Sequence, residues 1–427
     1  MSDSWYTSYP SINHWHEGVG HVQYRDALRR FTGPLHLYLH IPFCKKLCSY
    51  CICNIVVSND REKIQHFLDH LCLEIDNLRA YEPDIRDVHF GGGTPSHLDR
   101  AQFSQLCDKL DTLTDLRSLA EVAMEIDPRT VTKDDLSHYA GHGINRISFG
   151  VQDYDPAVQK AINREQPPEL IDELLEVRYL FKGVNFDLLY GLPLQTMETV
   201  KATLKRVFRQ RPDRVTLLKY CHAPDVRRHM RLINVTDLPT ADALPQMFDF
   251  IRDALIREGY RWIGLDHFAL PHDSLATGPV ARTFNGFTSG TQEMIGLGPT
   301  TTSVFGDLYA QAHYDLQEYY KAVNAGEFPI LRGYQMTDDD LERRRIIFDI
   351  LCHQRALILW RFDYEWEKLA SMPDLCTIGK DGILTVTPRG RHHLREICRV
   401  FDVKGHRIAQ LNMTRRERAA SPAHQSA

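Results

Sequence analysis

Between residues 36 and 220 the chain alternates two hydrophobic periods, and this alternation narrows the fold more than any other feature. Short β-rich runs end in Gly, Pro or polar turns, and a helical stretch follows each. The predicted strands are His36–Ile41, Asp87–Phe90, Val122–Ile126, Arg146–Val151, Asn185–Tyr190 and Arg214–Lys219. Between them lie helical patterns at 62–79, 100–110 and 197–209; in the last, Val200, Leu204 and Val207 recur at the spacing of one buried helix face. Several strands are mostly apolar, as expected of strands covered on both faces. Repeated βα units imply a parallel sheet with right-handed crossovers. Six units are too few for a closed eightfold barrel, so periodicity leaves a partial barrel and an open doubly wound sheet as alternatives.

Beyond residue 220 the pattern predicts a helix over 241–258 and a single strand-like run over 261–268. Residues 270–300, rich in Gly, Thr and Pro, read as loops. From about 336 the character changes to a charged helix start with an apolar stripe (338–351), a short strand pair near 382–388 and a helix over 390–400. A chain of 427 residues is too long for one small domain. The expected organisation is a large α/β domain followed by a small α-rich one, with a polar tail that frays.

Composition excludes several classes of function. The formal net charge is −5, which recruits neither nucleic acid nor an anionic membrane. No run of 18 apolar residues occurs, and the first residues lack the basic and apolar regions of a signal peptide, so a cytoplasmic protein is expected. Of ten cysteines, four fall within ten residues: Cys44, Cys48, Cys51 and Cys53. In a reducing compartment such crowding reads as metal or redox chemistry rather than a disulfide framework. Spacings of four and three wrap Cys44, Cys48 and Cys51 around one centre, directly after the first predicted strand. Zinc sites use a CxxC pair plus a distant second pair, and no second pair exists. Three thiolates on a four-iron cluster leave one iron open for substrate, which suits chemistry rather than electron storage. Cys53, two residues beyond Cys51, points elsewhere in an extended loop and is expected not to be a ligand.

CxxxCxxC with Tyr50 before the third cysteine resembles the radical S-adenosylmethionine (SAM) superfamily. Within it the chain resembles the oxygen-independent coproporphyrinogen III oxidases. The segments that carry the likeness are Tyr6–Pro10, Leu37–Cys44, Gly91–Pro95, Glu125–Arg129, Ser148–Asp153, Ile162–Gln166, Asp187–Pro193, Asp266–Ala269, Gly390–Arg391 and Ile397–Cys398. The resemblance implies a partial (β/α)6 TIM-like barrel over 36–330. It also implies an N-terminal segment (1–35) reaching the active site, a small α-rich C-terminal domain (336–410) covering the substrate, and a frayed tail (411–427). It implies a [4Fe–4S] cluster on Cys44, Cys48 and Cys51, and two SAM molecules. Tyr38, Gly92 and Glu125 align with positions holding the first SAM. Tyr50, Gly93, Thr94, Gln152, Arg164 and Asp187 align with the second. Tyr38 and Arg164 are also the candidate catalytic residues. A small-molecule substrate, a donor such as flavodoxin or ferredoxin, and a monomeric state complete the expectation.

Some positions depart from the family pattern. Thr283–Ser289 reads Thr-Phe-Asn-Gly-Phe-Thr-Ser where Asn-Phe-Gln-Gly-Tyr-Thr-Thr is typical. Cys221 replaces a methyl near the second SAM, and Thr302 an aliphatic residue; both count as cofactor-binding candidates. Arg164, Lys219 and Arg343–Arg345 are candidates for meeting substrate carboxylates. The implied activity is oxidative decarboxylation of two coproporphyrinogen III propionates to vinyls. The alternatives are a methyltransferase or cyclopropanase using the second SAM as carbon donor, and a haem-binding or haem-trafficking protein.

Overall fold

The computed structural model describes residues 6–404. After helix α1 (His21–Arg30) comes strand β1 (Pro34–Ile41), then a loop stitched by the two-residue strands β2 (Phe43–Cys44) and β3 (Val56–Val57). Five further parallel strands follow: β4 (Asp84–Gly92), β5 (Glu121–Ile126), β6 (Arg146–Gln152), β7 (Gly183–Tyr190) and β8 (Arg214–Lys219). Helices α2 (Arg61–Arg79), α3 (Arg100–Asp111), α4 (Lys133–Gly141), α5 (Pro156–Ala161), α6 (Pro168–Leu175) and α7 (Met197–Gln210) form the crossovers. Local chemistry sets their ends. The Asp60 carboxylate accepts from the Glu62 and Lys63 amides to start α2, and a Thr196–Thr199 capping box starts α7. The apolar positions Val200, Leu204 and Val207 of α7 are buried, as their spacing requires.

The six strands lie side by side in chain order, with no reversal. A doubly wound sheet reverses direction at a switch point, so this order selects the partial barrel. The sheet continues on both sides. Beyond β8, α8 (Ala243–Arg257) leads into the antiparallel pair β9 (Arg261–Gly264) and β10 (His267–Ala269). The expected single strand over 261–268 is thus broken, with Leu265 at φ 46° in the turn. Residues 270–300 are not all loop. They hold the short helix α9 (Ser274–Thr277), a hairpin of β11 (Val280–Thr283) and β12 (Gly286–Ser289), and β13 (Met294–Leu297). Strand β13 pairs in parallel with β1, and β14 (Thr302–Phe305), β15 (Leu308–Ala312) and β16 (Ile330–Gln335) extend that edge.

The strands alternate after all. Leu35, Leu37, Leu39 and Ile41 of β1 are buried in the core under the helices, while His36, Tyr38 and His40 face the barrel interior. The same holds for Val88 and Phe90 against Asp87 and His89, and for Ile147 and Phe149 against Arg146 and Ser148. The expectation of strands apolar on both faces is corrected: both faces are covered, but the inner one is polar. Its floor is an ion network. Glu121 accepts from Arg146 at 3.0 Å and from Arg214 at 2.8 and 2.9 Å, and both arginines also meet Asp273. Each charge is therefore paired and hydrogen-bonded, the condition for burying it.

After α10 (Leu316–Asn324) and β16 the chain builds a second core. It comprises α11 (Asp338–His353), α12 (Asp363–Ala370), α13 (Leu394–Arg399) and a small antiparallel sheet of β17 (Arg355–Leu357), β18 (Cys376–Ile378) and β19 (Ile383–Val386). The expected strand pair at 382–388 is a single strand, β19, which forms a hairpin with the preceding β18 and pairs on its other side with the more distant β17. Tyr6 and Tyr9 are buried in this core, and Trp15 stacks on Tyr309 at 5.0 Å. The expected tail at 411–427 lies outside the described residues. Among those described, no helix is long and apolar enough to cross a membrane.

Candidate active site

The C-terminal ends of parallel strands are where βα folds place their chemistry, because the loops there converge on open strand ends. The β1 loop brings in the thiols. Thr94 Oγ1 donates to Cys44 Sγ at 3.3 Å, and the guanidiniums of Arg129 and Arg164 each donate to Cys48 Sγ at 3.6 Å. Burial pushes the Cys44 thiol up to about 12, with Thr94 opposing it. A thiol hydrogen bond from Cys53 holds Cys51 down at about 7, so Cys53 turns toward the other thiols rather than elsewhere as its spacing suggested. Among the described residues no three His, Cys, Asp or Glu side chains stand close enough to share one metal ion. Thiols flanked by cationic and hydroxyl donors on a glycine-lined loop are a donor set that fits an anionic iron–sulfur cluster.

Glycines let the β4 loop approach. Gly92 has φ +112°, and a Cβ there would lie 2.7 Å from His40 Nδ1. A Cβ on Gly93 would meet the Pro42 carbonyl at 2.8 Å. Glu125 stands beside them, accepting from the Gly92 amide at 3.3 Å and meeting His89 Nε2 at 3.2 Å. Tyr38 stacks on His89 at 5.9 Å and reaches His40 Nδ1 at 3.2 Å. Tyr38, Gly92 and Glu125, the expected first-SAM set, are therefore contiguous. Thr302 is buried on β14, one strand beyond Gly296, which pairs with Tyr38.

Arg164 links the thiol loop to the β6 end. It donates to the Gly150 carbonyl at 2.8 Å and pairs with Asp127 at 3.4 Å, while its buried Nε has no partner. That orphan donor is what an arriving carboxylate would satisfy. Burial raises Asp127, but Arg164 and Arg129 outweigh it and hold the carboxyl below its usual range. Gln152, at φ +64°, sits where β6 slips register; its Nε2 would lie 2.9 Å from a Cβ on Gly150. Asp187 accepts from Ser148 Oγ and Asn185 Nδ2, both at 2.8 Å. Burial, then the Glu125 charge, raises it to about 6. Tyr50, Thr94 and Gly93 lie on the same rim. Cys221 is exposed in the loop after β8, so it is not the small buried hydrophobe that its type favours.

The expected substrate cations Arg343–Arg345 are already engaged. Arg343 pairs with Asp339 and Glu365, Arg344 with Glu293, and Arg345 with Glu342 and Asp349. Three site residues were not among the expected ones: Asp127, Arg129 and His89. The first two lie in the Glu125–Arg129 segment, whose polar residues at a strand end were the available signal. Phe284 is the tip of the β11–β12 hairpin and packs in the cluster that contains Tyr38 and Trp15.

A parallel partial barrel with a three-thiol loop at its open end defines a radical SAM enzyme, and the radical SAM superfamily model matches residues 38–207. Two oxygen-independent coproporphyrinogen III oxidases are each 37% identical. That of Pseudomonas aeruginosa aligns over 94% of this chain and 93% of its own, that of Escherichia coli over 93% and 92%. The solved structure of the Escherichia coli enzyme, described as a radical SAM enzyme, superposes with a TM-score of 0.89 at 36% identity, covering 94% of this chain and 97% of that one. The chain belongs to the oxygen-independent coproporphyrinogen III oxidase family. With it come the family's cofactors, a [4Fe–4S] cluster and two SAM molecules.

Proposed function

We propose that this chain oxidatively decarboxylates two propionates of coproporphyrinogen III to vinyl groups, giving protoporphyrinogen IX. One observation carries the reading: the thiol loop, Glu125 and Asp187 gather at one end of the barrel, in a chain of which 94% follows a coproporphyrinogen III oxidase structure. Cys44, Cys48 and Cys51 would ligate the cluster. Tyr38, Gly92, Glu125 and Thr302 would line the first SAM site. Tyr50, Gly93, Thr94, Gln152, Arg164, Asp187 and Cys221 would line the second.

Held by Cys44, Cys48 and Cys51 and by the Glu125 and Asp187 sides of the barrel end, cluster and SAM would supply hydrogen-abstraction chemistry at the propionate β-carbons. Loss of CO2 and one electron to an external acceptor completes each vinyl. The chain's own residues orient and shield. Thr94, Arg129 and Arg164 hold negative charge on the thiol loop through hydrogen bonds. Glu125, fixed by His89 and the Gly92 amide, presents a carboxylate to an ammonium or ribose hydroxyl. Asp187, fixed by Ser148 and Asn185, presents another. Electrons would come from a flavodoxin- or ferredoxin-type donor, and the protein would act as a monomer in the cytoplasm.

The test is anaerobic reconstitution with coproporphyrinogen III and methyl-deuterated SAM. Protoporphyrinogen free of deuterium is expected. Deuterium from the SAM methyl in 5′-deoxyadenosine would instead mark methyl or methylene transfer and overturn the reading.

A further inference from the structure

Six arginines are buried among the described residues: Arg146, Arg164, Arg214, Arg252, Arg282 and Arg344. Five have a carboxylate in ion-pair contact. Arg282 does not. It is 5% exposed, its side chain makes no hydrogen bond or ion pair with a described residue, and its buried Nε is without a partner. Its one strong contact is the face of Phe287, 5.1 Å from ring centre to guanidinium carbon. Asp266, whose charge favours the Arg282 cation without an ion-pair contact, is bound to His267 Nδ1 at 2.7 Å. A second guanidinium, Arg395 on α13, adds positive potential to the same region. Burial, with that repulsion, lowers the Arg282 pKa from its ordinary value. A buried cation with no carboxylate in contact is costly, and an anion arriving from outside relieves the cost.

The place is as telling as the charge. Arg282 lies on β11, against Cys352 of α11. Two residues on, Phe284 packs in the cluster that holds Tyr38. A Cβ on Gly286, in the same hairpin, would lie 3.1 Å from the His267 ring. His267 pairs across the sheet with Thr216, and Thr216 with Asp187. The guanidinium thus sits between the barrel and the C-terminal core, beside the rows that carry both candidate SAM sites.

We propose that Arg282 anchors the substrate by pairing bidentately with one of its propionate carboxylates. This rests on the coproporphyrinogen reading above and replaces Arg343–Arg345 as the source of the cation. The planar fork of a guanidinium matches a carboxylate in a way that an ammonium cannot.

The test uses the cluster-loaded protein, with fluorescence titration by coproporphyrin III and by its tetramethyl ester, in which every carboxylate is blocked. Wild type should prefer the acid. Arg282→Leu should weaken the acid about tenfold or more and leave the ester unchanged, with a matching rise in KM for coproporphyrinogen III. Arg282→Lys should recover part of the loss. Because an unpaired buried charge is removed, Arg282→Leu should melt no lower than wild type. Wild-type affinity for the acid in Arg282→Leu, or a lowered melting temperature with acid and ester weakened alike, would overturn the anchor and leave the activity standing. Failure of the wild-type enzyme to turn over coproporphyrinogen III would instead overturn the functional reading, and the anchor with it.

Discussion

Asp187 is held charged at a cost, and replacing it should expose that cost. Its carboxyl is raised to about 6, first by burial and then by the Glu125 charge, although Ser148 Oγ and Asn185 Nδ2 both donate to it. An unfolded aspartate titrates near ~3.9, so keeping Asp187 ionised above pH 6 costs the fold about 2–3 kcal/mol. The sign follows from proton binding. The folded protein binds the proton more tightly, so wild type gains stability as pH falls from about 6 toward ~3.9 and holds the full gain below that. Asp187→Asn has no such titration. At pH 7.5 it should be more stable than wild type by about 1–2 kcal/mol, once about 1 kcal/mol is allowed for the rearranged hydrogen bonds. That advantage should be lost as pH falls through about 6, leaving the variant up to about 1 kcal/mol less stable near pH 4. Urea denaturation of the cluster-free protein at a series of pH values reads the difference, and groups common to both proteins cancel. The same variant should bind SAM more weakly, since the carboxylate is kept for a ligand. An advantage independent of pH, or a variant less stable than wild type at pH 7.5, would refute the reasoning.

Four further substitutions follow from the geometry. Cys44→Ala should lose bound iron and 5′-deoxyadenosine formation, whereas Cys53→Ala should keep its iron; iron analysis after reconstitution checks both. Gly93→Ala pushes a Cβ to 2.8 Å from the Pro42 carbonyl, which is backbone and cannot swing aside. It should cost about 1–3 kcal/mol and impair cluster uptake, read by denaturation and by absorbance. Glu121→Gln leaves Arg146 and Arg214 sharing Asp273 on the barrel floor, and should lower stability by about 3 kcal/mol in denaturant titration.

The six parallel strands and the thiol loop were legible because both are local in the chain. The polarity of the barrel interior was legible too, in the His-Leu-Tyr-Leu-His run of β1, but short strands flanked by buried helices read as apolar throughout. Strand β13 was not legible: Met294–Leu297 is four residues in a Gly- and Thr-rich stretch, and it is a strand because β1 offers it a partner. The engagement of Arg343 and Arg345 is written at helical spacing, in Asp339, Glu342 and Asp349. Arg282 has no such local sign, since what distinguishes it is the absence of a side-chain partner among the described residues.

The most direct test of the central claim is where the hydrogen goes. Coproporphyrinogen III deuterated at the propionate β-carbons should pass deuterium into 5′-deoxyadenosine, with protoporphyrinogen IX and two CO2 formed per substrate. Unlabelled 5′-deoxyadenosine with a product grown by a carbon unit from SAM would contradict it.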